Sequence, residues 1–155
     1  MNGADINSVQ EISLLGSINN EASLEKEGKK FIMYGDSIDI AFLALGMKAG
    51  INKEEVQVVG EIPYESENKY SAVFYKKDND YYCTVKGSLE KIMNFSTHMN
   101  MGNKESKIDK EALNNQNEDL AKAGYRVIAL ASGKIKKFEE KEFYTEQDIS
   151  SLTFQ

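Results

Sequence analysis

The sequence predicts an α+β domain in which a mostly antiparallel β-sheet is flanked by helices. Three observations carry that prediction. Tyr70 to Lys76 and Tyr81 to Lys86 are rich in aromatic and β-branched residues and are separated by Lys77-Asp78-Asn79-Asp80, which is a hairpin signal. Helical patterns fall between strand-like runs at irregular intervals instead of alternating with them one for one. A chain of 155 residues suits a single domain that buries a core without staples, so residues 1–155 are read as one domain.

Taken in order, Ile6, Val9, Ile12, Leu15 and Ile18 recur every three residues and predict an amphipathic helix, ended by Asn19-Asn20. Glu21 to Lys30 is charged and reads as a loop, and Phe31-Ile32-Met33-Tyr34, bounded by Gly35, reads as a strand. Asp36 is placed as a helix N-cap with Asp39 at the capping-box position. The helix runs to about Ala49, with Ile38, Ala41, Phe42, Leu45 and Ala49 as its apolar face and Gly50 as its stop. So placed, Asp39 is a first-turn acid favoured by the helix dipole.

Val56 to Tyr64 alternates as a strand with Val56, Val58, Gly60, Ile62 and Tyr64 on one face, and Pro63 marks an edge or an end. Tyr64 reads equally as a core tyrosine or as a ring facing a ligand. Glu65 to Lys69 is a polar connection to the hairpin. The second hairpin strand ends on Lys86, turns on Gly87 and starts a helix that Ser88 can cap. A lysine beside the unpaired N–H groups of a helix start makes a small electropositive pocket. Alternation puts Lys86 with Thr84 and Tyr82, opposite Cys83 and Val85.

His98 to Lys107 has no period and is read as an exposed loop. Ser106 to Ala123 predicts a mostly exposed helix closed by Gly124, and Tyr125 to Ile135 is the most β-prone late segment. A highly charged run from Lys134 to Glu142 precedes a tail with scattered apolar residues.

Composition excludes several classes. A net charge of −6 argues against a nucleic-acid partner and against a basic membrane-binding surface, so an anionic ligand requires a local cluster of cations. Cys83 is the one cysteine and His98 the one histidine, too few for a disulfide framework or a zinc site, and no metal site is expected. The longest apolar run, Ile40 to Met47, is far short of a membrane span, and a soluble chain is expected. Gly133-Lys134-Ile135 is no phosphate-binding P-loop, there is no Gly-x-Gly-x-x-Gly, and no nucleophilic triad assembles, so no catalytic residue is assigned.

Five segments in order resemble one family. Gly35-Asp36-Ser37-Ile38-Asp39 resembles Gly-Asp-Pro-Thr-Glu, and Pro63-Tyr64-Glu65-Ser66-Glu67-Asn68-Lys69 resembles Pro-Phe-Asp-Ser-Glu-Arg-Lys. Lys86-Gly87-Ser88-Leu89-Glu90 resembles Lys-Gly-Ala-Pro-Glu, and Gly124-Tyr125-Arg126-Val127-Ile128-Ala129-Leu130-Ala131 resembles Gly-Leu-Arg-Val-Leu-Ala-Leu-Ala. Leu152-Thr153-Phe154 resembles the start of Leu-Thr-Phe-Leu-Gly. Over nearly its whole length the chain is thus similar to the nucleotide-binding domain of P-type cation-transporting ATPases. His98 is followed by Met99 where the heavy-metal branch carries His-Pro, so the resemblance is to the light-cation branch.

The resemblance implies an ATP- and ADP-binding site. Tyr64 stacks on adenine, Asp39 accepts from the adenine amino group, Lys69 and Lys86 line the pocket, Gly87 lets the nucleotide approach, and Arg126 reaches the phosphates from the adjoining strand. It also implies Mg2+ carried with the phosphates, and phosphorylation and actuator domains of the same pump as partners. By the same resemblance this is a cytoplasmic domain excised from an integral membrane protein and monomeric when isolated. The Asp-Lys-Thr-Gly-Thr motif that holds the phosphorylated aspartate is absent from these 155 residues, so binding without hydrolysis is expected. The pattern departs from the family at Asp39, one methylene shorter than glutamate, at Asn68 in place of arginine, and at Ser88-Leu89 in place of Ala-Pro. Those departures imply weak binding, and a millimolar dissociation constant corresponds to about −4 kcal/mol. The alternative is a protein-interaction module of the same fold that has lost the nucleotide.

Overall fold

The computed structural model describes residues 6–28, 30–51, 56–102 and 104–155. The chain divides into two compact units, Met1–Glu55 and Val56–Gln155.

In the first unit, helix α1 (Ile6–Ile18) has the predicted bounds. Its burial is concentrated at Ser13 and from Leu15 to Asn19, while Ile6 is exposed, so the expected three-residue stripe gives way to a buried C-terminal half. Glu21 to Lys30 is not a loop throughout. Strand β1 (Ser23–Glu27) pairs antiparallel with β2 (Lys30–Tyr34), from Ser23 opposite Tyr34 to Glu27 opposite Lys30. Strand β2 is the predicted Phe31–Tyr34 strand, whereas β1 escaped sequence reading because it is Ser-Leu-Glu-Lys-Glu and half exposed, with no buried face to impose alternation. In α2 (Ser37–Lys48), Asp36 accepts the Ile38 N–H at 2.8 Å, the predicted N-cap. Ala41 is exposed, off the expected apolar face. Gly16 of α1 lies against the Phe42 ring, where a Cβ would come within 2.5 Å of Cγ, so the two helices approach at a residue without a side chain. Gly50, at φ +70°, ends α2 with the Ile51 N–H on the Gly46 carbonyl and its own N–H on Met47. That is the Schellman pattern, which satisfies carbonyls left over at the helix end.

The second unit is built on a seven-stranded sheet. Its strands are β3 (Gln57–Ile62), β4 (Tyr70–Lys77), β5 (Asp80–Gly87), β6 (Ser96–Asn100), β7 (Glu105–Lys107), β8 (Ala129–Ile135) and β9 (Leu152–Phe154), in the order β3-β4-β5-β8-β9-β6-β7. Every neighbouring pair is antiparallel except β6 with β9. Helices α3 (Leu89–Phe95) and α4 (Lys110–Lys122) complete it, with a short 3-10 turn at Glu146–Asp148. The architecture is the predicted α+β class with a mostly antiparallel sheet.

The β4–β5 hairpin forms as predicted, turning at Asp78-Asn79 with Lys77 opposite Asp80. The β3 alternation is broken by a register shift between Val58 and Gly60. Val58 is therefore 50% exposed while Val59 packs on the core, the reverse of the expected parity. His98 to Lys107, expected to be a loop, is the β6–β7 hairpin, whose mixed exposure hides any period. Tyr125 to Ile128 precede β8 and are not part of it. The core gathers Ala72, Phe74, Cys83 and Val85 of the hairpin with Ile92 and Met93 of α3 and Leu152 of β9. Cys83 is fully buried and reduced, and burial pushes its thiol well above the usual range. Among the described residues no helix is long and apolar enough to cross a membrane, and none of their His, Cys, Asp and Glu groups could hold a metal.

Candidate functional site

The strand register of the second unit collects five of the six sequence-predicted site residues at one end of its sheet. Gly87, the last residue of β5, stands between Tyr70 of β4 and Ala129 of β8. Lys86 precedes it, and Lys69 is the residue before Tyr70. Tyr64 follows two residues after Ile62, which pairs with Ala72. Arg126 stands three residues before Ala129, in the connection leading into β8 and not on the strand as expected. Antiparallel pairing thus puts the strand ends that carry or adjoin these residues side by side.

Each position has a local cause. Tyr64 follows Pro63, which ends edge strand β3, and its ring is 54% exposed, which removes the core reading. Lys69 closes the polar turn, donating its N–H to the Glu65 carbonyl at 2.8 Å, and holds a left-handed backbone at φ 60°. Asn68, in the same turn, donates from its side chain to Glu65 Oε2 at 3.0 Å. Lys86 is only 9% exposed, so it is no surface lysine closing a strand. Its strand face also carries Thr84 and, on the neighbouring strands, Ser71 and Leu130, all buried. Arg126 and Tyr125 are exposed. Gly124 ends α4 as Gly50 ends α2, with the Tyr125 N–H on the Leu120 carbonyl at 3.0 Å. Tyr125, 66% exposed, adds a second open ring at this end of the sheet. Sequence reading passed it over by extending the strand to it, although the glycine before it was the signal that it leaves a helix.

Gly87 is demanded by the protein's own backbone. A Cβ there would lie 2.7 Å from the Tyr70 Cα and closer still to the Lys69 carbonyl oxygen. That oxygen accepts the Ser88 N–H at 3.0 Å. The expected anion pocket at the α3 start is altered accordingly, because its first amide is already engaged. Ser88 holds the N-cap position without a side-chain cap, and its Oγ is buried with no partner among the described residues. Beside it, burial raises the Tyr70 hydroxyl above its usual range, with Glu146, Cys83 and Glu65 adding to the shift. The Tyr70 ring packs edge-on against Phe95 at 5.0 Å and lies under the Lys91 ammonium at 5.9 Å.

The sixth residue, Asp39, belongs to the first unit. Its Oδ2 accepts the Glu21 N–H at 3.0 Å and its carbonyl accepts from the Asn20 side chain at 2.9 Å, so a largely buried carboxylate ties α2 to the segment after α1.

Comparison with known proteins follows the same outline. The family model described as "P-type ATPase, cytoplasmic domain N" matches residues 8–155. "Probable cation-transporting ATPase F" of Mycobacterium tuberculosis is 29% identical over 125 residues, which cover 77% of this chain and 14% of that protein. "Calcium-transporting ATPase" of Bacillus subtilis is 28% identical over 156 residues, 93% of this chain and 17% of its own length. "Calcium-transporting ATPase 1" of Saccharomyces cerevisiae is 30% identical over 155 residues, 94% of this chain and 16% of its own length. The chain therefore spans about a sixth of the curated relatives it matches.

Proposed function

This chain belongs to the family of P-type ATPase cytoplasmic N domains, and from that premise we propose that it binds ATP and ADP at the Gly87 end of its seven-stranded sheet. In a cation pump it presents the γ-phosphate of ATP to an aspartate on a neighbouring phosphorylation domain. The observation that supports the reading is the register that sets Lys86 and Gly87 beside Tyr70 and Ala129, with Lys69 next to Tyr70 in sequence and Tyr64 and Arg126 in the connections that flank those strands. An exposed ring supplies a stacking surface, worth roughly 1 to 3 kcal/mol per base in nucleic-acid systems. Lysine stems cover apolar parts of a ligand while their ammonium groups meet phosphate. Arg126 adds a planar donor fork for phosphate oxygens.

Asp39, in the other unit, is proposed separately as an acceptor for the adenine amino group, in competition with the Glu21 amide. Mg2+ is proposed to arrive on the phosphates. The role is one of positioning, since holding the phosphoryl donor in line converts transfer into an effectively unimolecular step. Phosphorylation and actuator domains are the proposed partners.

Titrating the isotopically labelled chain with ATP and with ADP tests the reading. Amide shifts at Tyr64, Lys86 and Gly87, weakened by Lys86→Ala, are expected. No response there at millimolar nucleotide overturns it and favours an interaction module without a nucleotide.

A further inference from the structure

The other end of the same sheet holds an open groove of roughly 800 Å3. Tyr81 of β5 faces Ile135 of β8 there, whereas Gly87 faces Ala129 at the candidate nucleotide end. Six residues at about 3.3 Å each separate the two ends by roughly 20 Å. The groove is therefore distinct from the Gly87 end, and its lining has a chemistry of its own.

One wall is aromatic. Phe138 stacks with Tyr81 at 4.2 Å and lies 5.9 Å from Tyr144, which in turn stacks on Phe74 at 4.7 Å. These rings pack against one another along that wall. The opposite character appears in the charged run after β8. Lys134 pairs with Asp80 at 2.7 Å and Lys141 pairs with Asp148, which neutralises both. Lys136 and Lys137 also line the groove, are exposed, and have no carboxylate partner among the described residues. The groove's charged lining is Lys134, Lys136, Lys137 and Lys141 with Glu139 and Asp148, and of these lysines Lys136 and Lys137 are the two without an ion-pair partner among the described residues.

Hydroxyl donors complete the lining at Thr97, Ser150 and Ser151. Ser151 holds a left-handed backbone at φ 54°, a conformation that a serine keeps only where its surroundings over-determine it. Ammonium point charges combined with hydroxyl donors suit phosphate oxygens, which are acceptors in several directions.

We infer that this groove is a second anion site, taking a compact oligophosphate or phosphate ester through Lys136 and Lys137, with hydroxyls of Thr97, Ser150 and Ser151 orienting it. The site needs no base recognition. It stands independently of the nucleotide reading, because its contacts lie on other residues.

The test is a titration of the labelled full chain with sodium tripolyphosphate, and in parallel with a hexaglutamate peptide. Saturable amide shifts at Thr97, Lys136, Lys137, Ser150 and Ser151 are expected with tripolyphosphate, weakening as salt is raised. Combining Lys136→Glu with Lys137→Glu should weaken them by about tenfold or more, the loss expected for charge-assisted hydrogen bonds. Both positions are exposed, and an unchanged amide spectrum elsewhere verifies the fold of the variant. Absence of saturable shifts at these amides, or an unchanged titration in the double variant, overturns the inference. Tighter binding of hexaglutamate overturns it in favour of an acidic peptide partner. Shifts at Tyr64 and Gly87 report on the nucleotide reading alone, so either idea can fail without the other.

Discussion

The backbone carbonyl of Lys69 accepts the N–H of Ser88 at 3.0 Å, spanning the turn in which Gly87 sits. One hydrogen bond thus binds the end of the polar turn before β4 to the start of α3. It also sets the spacing of Lys69, whose own carbonyl is the acceptor, and Lys86, two residues before the donor. The helix-start amide that sequence reading offered to an anion is used to build the site's frame.

Gly87→Ala should break that frame. The added methyl meets the Lys69 carbonyl and Tyr70 Cα, both backbone atoms that cannot rotate away. Overpacking of this kind costs about 1 to 3 kcal/mol. Urea unfolding should show the loss, and the amide shifts of Lys69 and Ser88 should move with it even without nucleotide.

Lys69→Gly should separate stability from binding. Glycine relieves the left-handed strain at φ 60°, a stabilisation of up to about 1 kcal/mol. Nucleotide affinity should fall because an ammonium group is lost. Opposite signs in a denaturant melt and an ATP titration are the expected outcome. A fall in both would place the role of Lys69 in folding.

Tyr64→Ala should leave the melting temperature nearly unchanged, because the ring is 54% exposed. Nucleotide binding should weaken by about 1 to 3 kcal/mol, the range for base stacking. Tyr64→Phe keeps the ring and should bind like the parent. Equal affinity in all three proteins, measured by calorimetry, would remove Tyr64 from the site.

Acid should loosen the segment after β8. The hydrogen bond from Lys141, then that from the Thr145 amide, hold the Asp148 carboxyl below its usual range. A carboxyl depressed in the folded state contributes in full above the ordinary aspartate value of about 3.9 and loses that contribution as pH falls through the lower folded value. Hydrogen exchange at the Thr145 amide should therefore show protection that is constant near neutrality and declines in acid, and Asp148→Asn should abolish the pH dependence.

The hairpin of β4 and β5 was legible because its turn chemistry and its β-forming residues agree, and the Asp36 cap because it acts on its own helix. Val58 was misread because a bulge is a property of two strands, visible only once Phe74 is set opposite Gly60. Strand β1 and the β6–β7 ribbon were missed because exposed strands need no alternation, whereas β2 was legible as Phe31–Tyr34. The chemistry of the candidate site was readable as residue types, with Lys86 marked by its strand-to-helix turn. The Asp39 link to Glu21 was not, since a neighbour 18 residues away in sequence leaves no local trace. The Lys69 carbonyl was equally hidden, as a main-chain group has the same identity everywhere in a sequence.

Strand β9 joins two parts of the sheet that no other strand connects, β3-β4-β5-β8 on one side and β6-β7 on the other. Gln155 adds side-chain bonds to Ser132 and to Asn100 across that join. Its pairings with β6 reach back from Leu152 to Ser96, among the least local in the sheet. The local hairpins are expected to form before this long-range closure by Leu152–Phe154. Until they arrive, β8 and β6 present open edges, and the partly built domain is at its most prone to pair with another chain.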